Sequence, residues 1–209
     1  MSIQGTDQWK AERCGRLTAS RLADALAKIK TGWGASRDNY AAELVAERLT
    51  GVPYESYTSP AMQWGKDTEA LARRAYAFHE DAEIQEAGFV PHPTIAMSGA
   101  SPDGLVGDDG LVEIKAPLTA THIKTLRGAS IDGKYLTQMM WQMACTGRLW
   151  CDWVSFDPRL PEEMNYFCKR VTRDDALIAK LETDAKVFLS EVDALVAELS
   201  RIYLRREAA

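Results

Sequence analysis

Between Ile84 and Pro117 the chain breaks into short β-type runs separated by Pro, Gly and Asp, and helical patterns lie on either side of this stretch. Turn residues this frequent interrupt any 3.6-residue stripe. Asp108-Asp109-Gly110 predicts a hairpin turn just before the apolar run Leu111-Val112-Glu113-Ile114-Lys115. The middle of the chain is therefore read as a β-meander. Upstream, Pro60 starts a long helix that ends near His79, with Trp64, Leu71, Ala75 and Phe78 on one side and Glu69 riding on it. Before that, Leu22, Leu26 and Ile29 predict a helix with Ser20 as N-cap. A second helix opens at Ser36 and carries Tyr40, Leu44 and Leu49 up to Gly51, and Thr31 to Ser36 reads as a flexible link between the two. Downstream the pattern predicts helices over Thr121–Arg127 and Lys134–Arg148 and strands over Trp150–Phe156 and Asn165–Val171. A helical segment from Thr172 to Arg206 follows, striped by Leu177, Leu181, Phe188, Val192, Leu195, Leu199 and Ile202. The expected fold is α/β (α+β), a central mixed β-sheet flanked by helices.

At 209 residues, 46% of them hydrophobic, the chain has enough apolar material for one core, and a single domain over 1–209 is the expectation. No apolar run approaches the ~20 residues of a membrane helix, and the N-terminus lacks a charged-then-apolar leader, so the expected location is the cytoplasm with no membrane partner. Cys14, Cys145, Cys151 and Cys168 form no C-x-x-C pair and read as reduced core thiols. A formal charge of −5 argues against a passive nucleic-acid coat, which neutralises phosphates with excess Lys and Arg. It leaves room for an enzyme whose carboxylates bind metal, since those charges are neutralised on loading.

Chemistry concentrates in Ser101-Pro102-Asp103-Gly104 and Glu113-Ile114-Lys115. Side chains alternate along a strand, so Val112 and Ile114 face one way while Glu113 and Lys115 share the other face. Two readings stand side by side at this level. Glu113 and Lys115 lie on a solvated sheet face, or Asp103 joins them at a metal. Hard divalent cations take oxygen ligands, and hydrolysis needs carboxylates to hold the ion and a cation beside the nucleophile. Asp103, Glu113 and Lys115 supply that set, and the Ile114 carbonyl lies between them.

These residues resemble the PD-(D/E)xK nucleases and, within them, the phage lambda exonuclease family of viral recombination exonucleases. The resemblance runs from Trp9 and Arg13 through Leu17-Thr18-Ala19-Ser20, Trp64-Gly65-Lys66 with Glu69, Ser101 to Gly104, Gly110 to Lys115 with Pro117, and Tyr135 with Gln138, to Phe156-Asp157-Pro158-Arg159. It implies a restriction-endonuclease-like core and a Mg²⁺-dependent 5′-to-3′ exonuclease on double-stranded DNA. That enzyme acts processively as a homotrimeric ring and delivers a 3′ single strand to a single-strand annealing protein. By the same resemblance Asp103 and Glu113 are metal carboxylates and Lys115 is the catalytic lysine. Glu69 helps form a site for a second ion, with Mn²⁺ able to substitute for Mg²⁺, and Gln138 packs beside the lysine. Arg13, Ser20 and Ser101 match positions that grip the terminal 5′-phosphate. Met62, Lys30 and Tyr135 are matched to further DNA contacts. An endonuclease on the same core, and a non-catalytic DNA-binding relic, remain the competing readings.

Overall fold

The computed structural model describes residues 2–30, 32–54 and 59–204. Thr6 caps α1 (Asp7–Arg13) by accepting from the Trp9 N–H. After it come β1 (Leu17–Thr18), a 3₁₀ turn over Ala19–Arg21 and α2 (Leu22–Ala25). A hairpin pairs β2 (Lys28–Ile29) with β3 (Gly32–Trp33), and α3 (Ala35–Thr50) follows. The long helix α4 (Pro60–His79) has Ser59 as its N-cap. Five strands come next, β4 (Ile84–Gln85), β5 (Val90–Pro91), β6 (Ser98–Ala100), β7 (Gly104–Val106) and β8 (Gly110–Lys115). The chain closes with α5 (Thr119–Leu126), α6 (Gly133–Thr146), β9 (Trp150–Phe156), β10 (Tyr166–Thr172) and α7 (Asp175–Leu199).

The main sheet has the order β10-β9-β8-β7-β4, with β8 and β9 parallel and the other pairs antiparallel. It is the central mixed sheet that the sequence predicts. Helices cover both faces. Ala72 and Tyr76 of α4 pack on Val112, Ile114, Val154 and Phe156. On the opposite face Leu111, Cys151 and Trp153 meet Met139 and Met143 of α6, with Phe188 and Val192 of α7 in the same cluster. At roughly 25 cal/mol per Å² of apolar surface, these two clusters supply the main driving force for folding.

Five expectations are corrected. The meander is not one sheet: β5 and β6 pair with β1 in a separate three-stranded sheet of order β1-β6-β5. Pro102, which offers no N–H to a ladder, separates β6 from β7. Ser20 caps no helix but sits inside the 3₁₀ turn, and α2 stops after four residues. The Arg37 guanidinium, buried and lying 3.8 Å over the Trp33 ring, takes the Ala25 carbonyl, while the Gly34 N–H takes that of Ala27, so the chain turns into the hairpin and Ile29 is exposed. Gly32 and Trp33 thus form a strand and Ser36 lies in α3, whereas Thr31 lies outside the described residues. The buried face of α4 is Thr68, Ala72 and Tyr76, while Leu71 and Phe78 point outward. Small Ala72 lets the helix close on the sheet, and the Tyr76 hydroxyl donates to Asp152 at 2.9 Å. Finally, the buried stripe of α7 runs Ile178, Leu181, Ala185, Phe188, Leu189 and Val192, and beyond it Leu195 and Ile202 are exposed.

Candidate active site

Strand β8 is buried on both faces, which sets Glu113 among apolar side chains. Its carboxylate is 0% exposed, so the solvated-face reading fails. A carboxylate taken out of water needs partners, and Glu113 has three. Lys115 Nζ and Gln138 Nε2 (2.7 Å) donate to Oε1, and Gln142 Nε2 donates to Oε2 at 2.6 Å. Burial pulls the Lys115 ammonium down, but Glu113 and Asp103 outweigh it and hold the group protonated, above its ordinary value. Its Nζ lies 5.3 Å from the centre of the Tyr135 ring, with Lys134 over the same ring at 4.9 Å.

Asp103 enters from the turn before β7. The β7 ladder to β8 ends at Gly104 opposite Val112. Past that rung the Ile114 N–H has lost its strand partner and donates instead to Asp103 Oδ2 at 2.7 Å. A strand residue's N–H and C=O point toward the same neighbour, so the Ile114 carbonyl also faces the Asp103 side. Gly104 is required here: a Cβ would sit 2.1 Å from Ile84 Cγ2 and 3.1 Å from Val112 Cγ1. The motif glycine therefore sets how closely Asp103 approaches β8.

The donors fit a hard divalent cation. Asp103 Oδ1 has no hydrogen-bond partner among the described residues, Glu113 Oε2 has accepted one bond of two, and the Ile114 carbonyl adds a neutral oxygen. Burial raises the Asp103 carboxyl above the usual carboxylate range, and the Glu113 charge adds to this against Lys115 and the Ile114 N–H. Glu69 also acts on Asp103 electrostatically, but its Oε1 is paired with Arg73 Nε and Nη2 at 3.1 and 3.0 Å. Among the described residues Glu69, Asp103 and Glu113 do not bring three ligand atoms within 4.8 Å of one another; Glu80, Asp152 and Cys168 do, with two carboxylate oxygens and a thiol sulfur on the α4 face of the sheet. There Arg170 and Tyr76 already occupy both oxygens of Asp152.

A raised Asp103 value means the fold favours the neutral acid, so this contribution to stability is present at acid pH and is lost as pH rises from about 4 through the folded value. Asp103→Asn keeps an acceptor for the Ile114 N–H and removes the charge. In chelator it is expected to melt above the parent at pH 8, with the gap closing toward pH 4. Melting curves at the two pH values check this, and a gap that does not change with pH contradicts it.

Arg13 donates from Nη1 to Ser101 Oγ at 3.2 Å, and Trp9 Nε1 donates to the same hydroxyl at 2.9 Å. The guanidinium stacks 4.1 Å from the Trp9 ring centre, and burial lowers its pKa against Tyr40 and Glu47. Among the described residues Arg13 carries no ion pair, while its neighbour Arg21 is tied to Asp24 and Glu43. Arg13 and Ser20 line one cavity of about 780 Å³; Glu69, Lys66 and Arg73 line a second of about 680 Å³, and the two share Trp9 and Lys10. Ser20 is exposed and 3.5 Å from the Thr18 hydroxyl. Met62, on the first turn of α4, is 49% exposed, which excludes core filling. Lys30 is exposed beside the β2–β3 hairpin, apart from the β8 cluster. The Phe156-Asp157-Pro158-Arg159 motif acts as a brace: Arg159 pairs with buried Asp157, donates to the Pro117 carbonyl and stacks on Trp64 of α4.

Sequence reasoning missed Gln142 and Arg73. Gln142 lies one helical turn beyond Gln138, and Arg73 one turn beyond Glu69, and that i, i+4 spacing is the signal each offered.

Residues 8–149 match the model of the YqaJ-like viral recombinase domain. An alkaline exonuclease from Laribacter hongkongensis is 50% identical, over 96% of this chain and 99% of that one, with a TM-score of 0.89. The same exonuclease in complex with dAMP superimposes with a TM-score of 0.90. A phage-related exonuclease from Haemophilus somnus 129PT is 14% identical, over 88% of this chain and 96% of that one, with a TM-score of 0.68, and shares the fold. No curated protein matches the chain. No helix among the described residues is long and apolar enough to cross a membrane.

Proposed function

The chain belongs to the YqaJ-like viral recombinase family, and from that premise we propose that it is a Mg²⁺-dependent 5′-to-3′ exonuclease on double-stranded DNA ends, with residues 1–209 acting as one nuclease domain. That it is a DNA nuclease of the recombination exonuclease type follows from the family and its half-identical relative. The observation that carries the finer reading is the cluster of half-buried Asp103, fully buried Glu113 and half-buried Lys115 beside the Arg13 cavity. A Lys–Glu pair on a sheet is ordinarily solvated; here the Glu113 carboxylate is fully buried under α6, Lys115 is only partly exposed, and the pair shares its site with a second carboxylate.

The reaction is hydrolysis of a phosphodiester: water adds to phosphorus, the P–O3′ bond breaks, and the 3′ oxygen takes up a proton. Each turn releases a nucleoside 5′-monophosphate, the chemical class of the dAMP held by the Laribacter enzyme, and leaves a new 5′-phosphate. Asp103, Glu113 and the Ile114 carbonyl would hold a first divalent ion, and Glu69, once released by Arg73, would help hold a second. When bound, such ions supply Lewis acidity for the phosphate and the nucleophile, and Mn²⁺ offers the same coordination chemistry. Burial disfavours the Lys115 ammonium but Glu113 and Asp103 favour it more strongly, and a charged Nζ there is placed to donate to the developing phosphate charge. Gln138 fixes Glu113 Oε1, and Tyr135 covers the Lys115 ammonium. Arg13 and Ser101, with Ser20 on the same cavity wall, hold the terminal 5′-phosphate. Met62 and Lys30 are exposed positions for further duplex contact. A homotrimeric ring around the duplex accounts for processive action by a chain of net charge −5, because enclosure replaces bulk positive charge. The 3′ strand so produced passes to a single-strand annealing protein in the cytoplasm.

End-labelled linear duplex and closed circular duplex, each with Mg²⁺, test the reading. Degradation of the linear form alone is expected. Cutting of both forms replaces it with the endonuclease reading, and cutting of neither with the relic.

A further inference from the structure

Gln142 is fully buried on α6, and its amide is only half used. Nε2 donates to Glu113 Oε2 at 2.6 Å, while Oε1 has no donor among the described residues. An amide kept in a core for structural reasons satisfies both ends, since a buried acceptor without a partner is unfavourable. Here, among the described residues, the one partner of the amide is the carboxylate. The acceptor count on Glu113 sharpens the point. Oε1 already takes two donors, Lys115 and Gln138, while Oε2 takes Gln142 alone. The lone pair left for a cation is therefore on the oxygen that Gln142 holds. Two amides one turn apart on α6 thus grip one carboxylate by its two oxygens: Gln138 closes Oε1 and Gln142 aims Oε2.

We infer that Gln142 is a positioning residue for the metal centre, fixing the Glu113 rotamer so that the free lone pair of Oε2 faces a divalent cation held with Asp103. The inference rests on the metal reading given under Proposed function. Residues that orient metal ligands typically contribute ten- to hundredfold in affinity or activity.

The test is Mn²⁺ binding to the DNA-free protein by isothermal titration calorimetry, alongside thermal melts, for the parent, Gln142→Met and Gln142→Asn. Met keeps the length and loses the donor; Asn keeps the amide and is one methylene too short. Both variants are expected to bind Mn²⁺ about tenfold or more weakly while melting cooperatively, and Asn decides the matter if Met does not fold. Mn²⁺ affinity equal to the parent's in a folded variant overturns the inference and leaves the metal reading intact. A parent that binds no Mn²⁺ overturns both.

Discussion

Lys115→Met is expected to lower the rate of cleavage by about a thousandfold or more while leaving a folded protein. Removing one preorganised donor to transition-state charge commonly lowers turnover by about 10²–10³, and proton-transfer groups contribute about 10²–10⁴. Among the described residues Lys115 is the one ammonium within hydrogen-bond reach of Glu113, and Glu113 and Asp103 together favour its charged form against burial. Methionine preserves the length of the side chain and removes the ammonium that lies 5.3 Å from the Tyr135 ring centre. Glu113 retains the Gln138 and Gln142 donors, so its charge is not left bare and the fold survives, at some loss of stability. Single-turnover cleavage of a linear duplex at saturating Mg²⁺, with circular dichroism as the folding control, reads the effect. Near-parental turnover would remove Lys115 from the chemistry.

Strand β8 could be read from the chain because period-two alternation is a local property. Val112 and Ile114 against Glu113 and Lys115 is decided by the pleat alone, and a hairpin turn at Asp108-Asp109-Gly110 fixes where the strand begins. Bounds of α4 were equally local, set by Ser59, Pro60 and the length of the pattern. Its buried face was not, because Leu71 and Phe78 are the more apolar choice by size. Thr68, Ala72 and Tyr76 win through close approach to the sheet and a hydroxyl that meets Asp152, a residue 76 positions away. The short α2 and its hairpin depend in the same way on Arg37 reaching back to Ala25. At the site, Asp103, Glu113 and Lys115 were legible as a motif, whereas Gln142 and Arg73 were not, since a glutamine or arginine on an amphipathic helix carries no sign of which carboxylate it will meet. Ser20 was legible for the wrong local reason, as a helix cap, and it reaches the candidate phosphate site through the cavity it shares with Arg13.

A duplex bearing a 5′-phosphate is expected to be degraded roughly ten- to two-hundredfold faster than the same duplex with a 5′-hydroxyl, and Arg13→Ala to erase most of that preference. The range corresponds to one charge-assisted contact of ~1.5–3 kcal/mol expressed in the transition state. Arg13 is suited to that contact because, among the described residues, its guanidinium bonds only to a neutral hydroxyl, Ser101, and its ring partner Trp9 fixes its direction without neutralising it. Arg21, on the same cavity wall, is already paired with Asp24 and Glu43 and has less to offer a phosphate. Ser101 stands two residues before Asp103, so a phosphate held at Arg13 and Ser101 is registered against the candidate metal carboxylates, and its loss misplaces the next phosphodiester as well as weakening binding. A general backbone contact at Arg13 predicts something different, equal slowing on both substrates. Initial rates for parent and Arg13→Ala on phosphorylated and hydroxyl-ended duplex, at one salt concentration because phosphate contacts are screened by ions, separate the two. A preference that persists in the variant takes Arg13 out of the pocket. A parent indifferent to the terminal phosphate takes away the pocket itself and returns the endonuclease reading to first place.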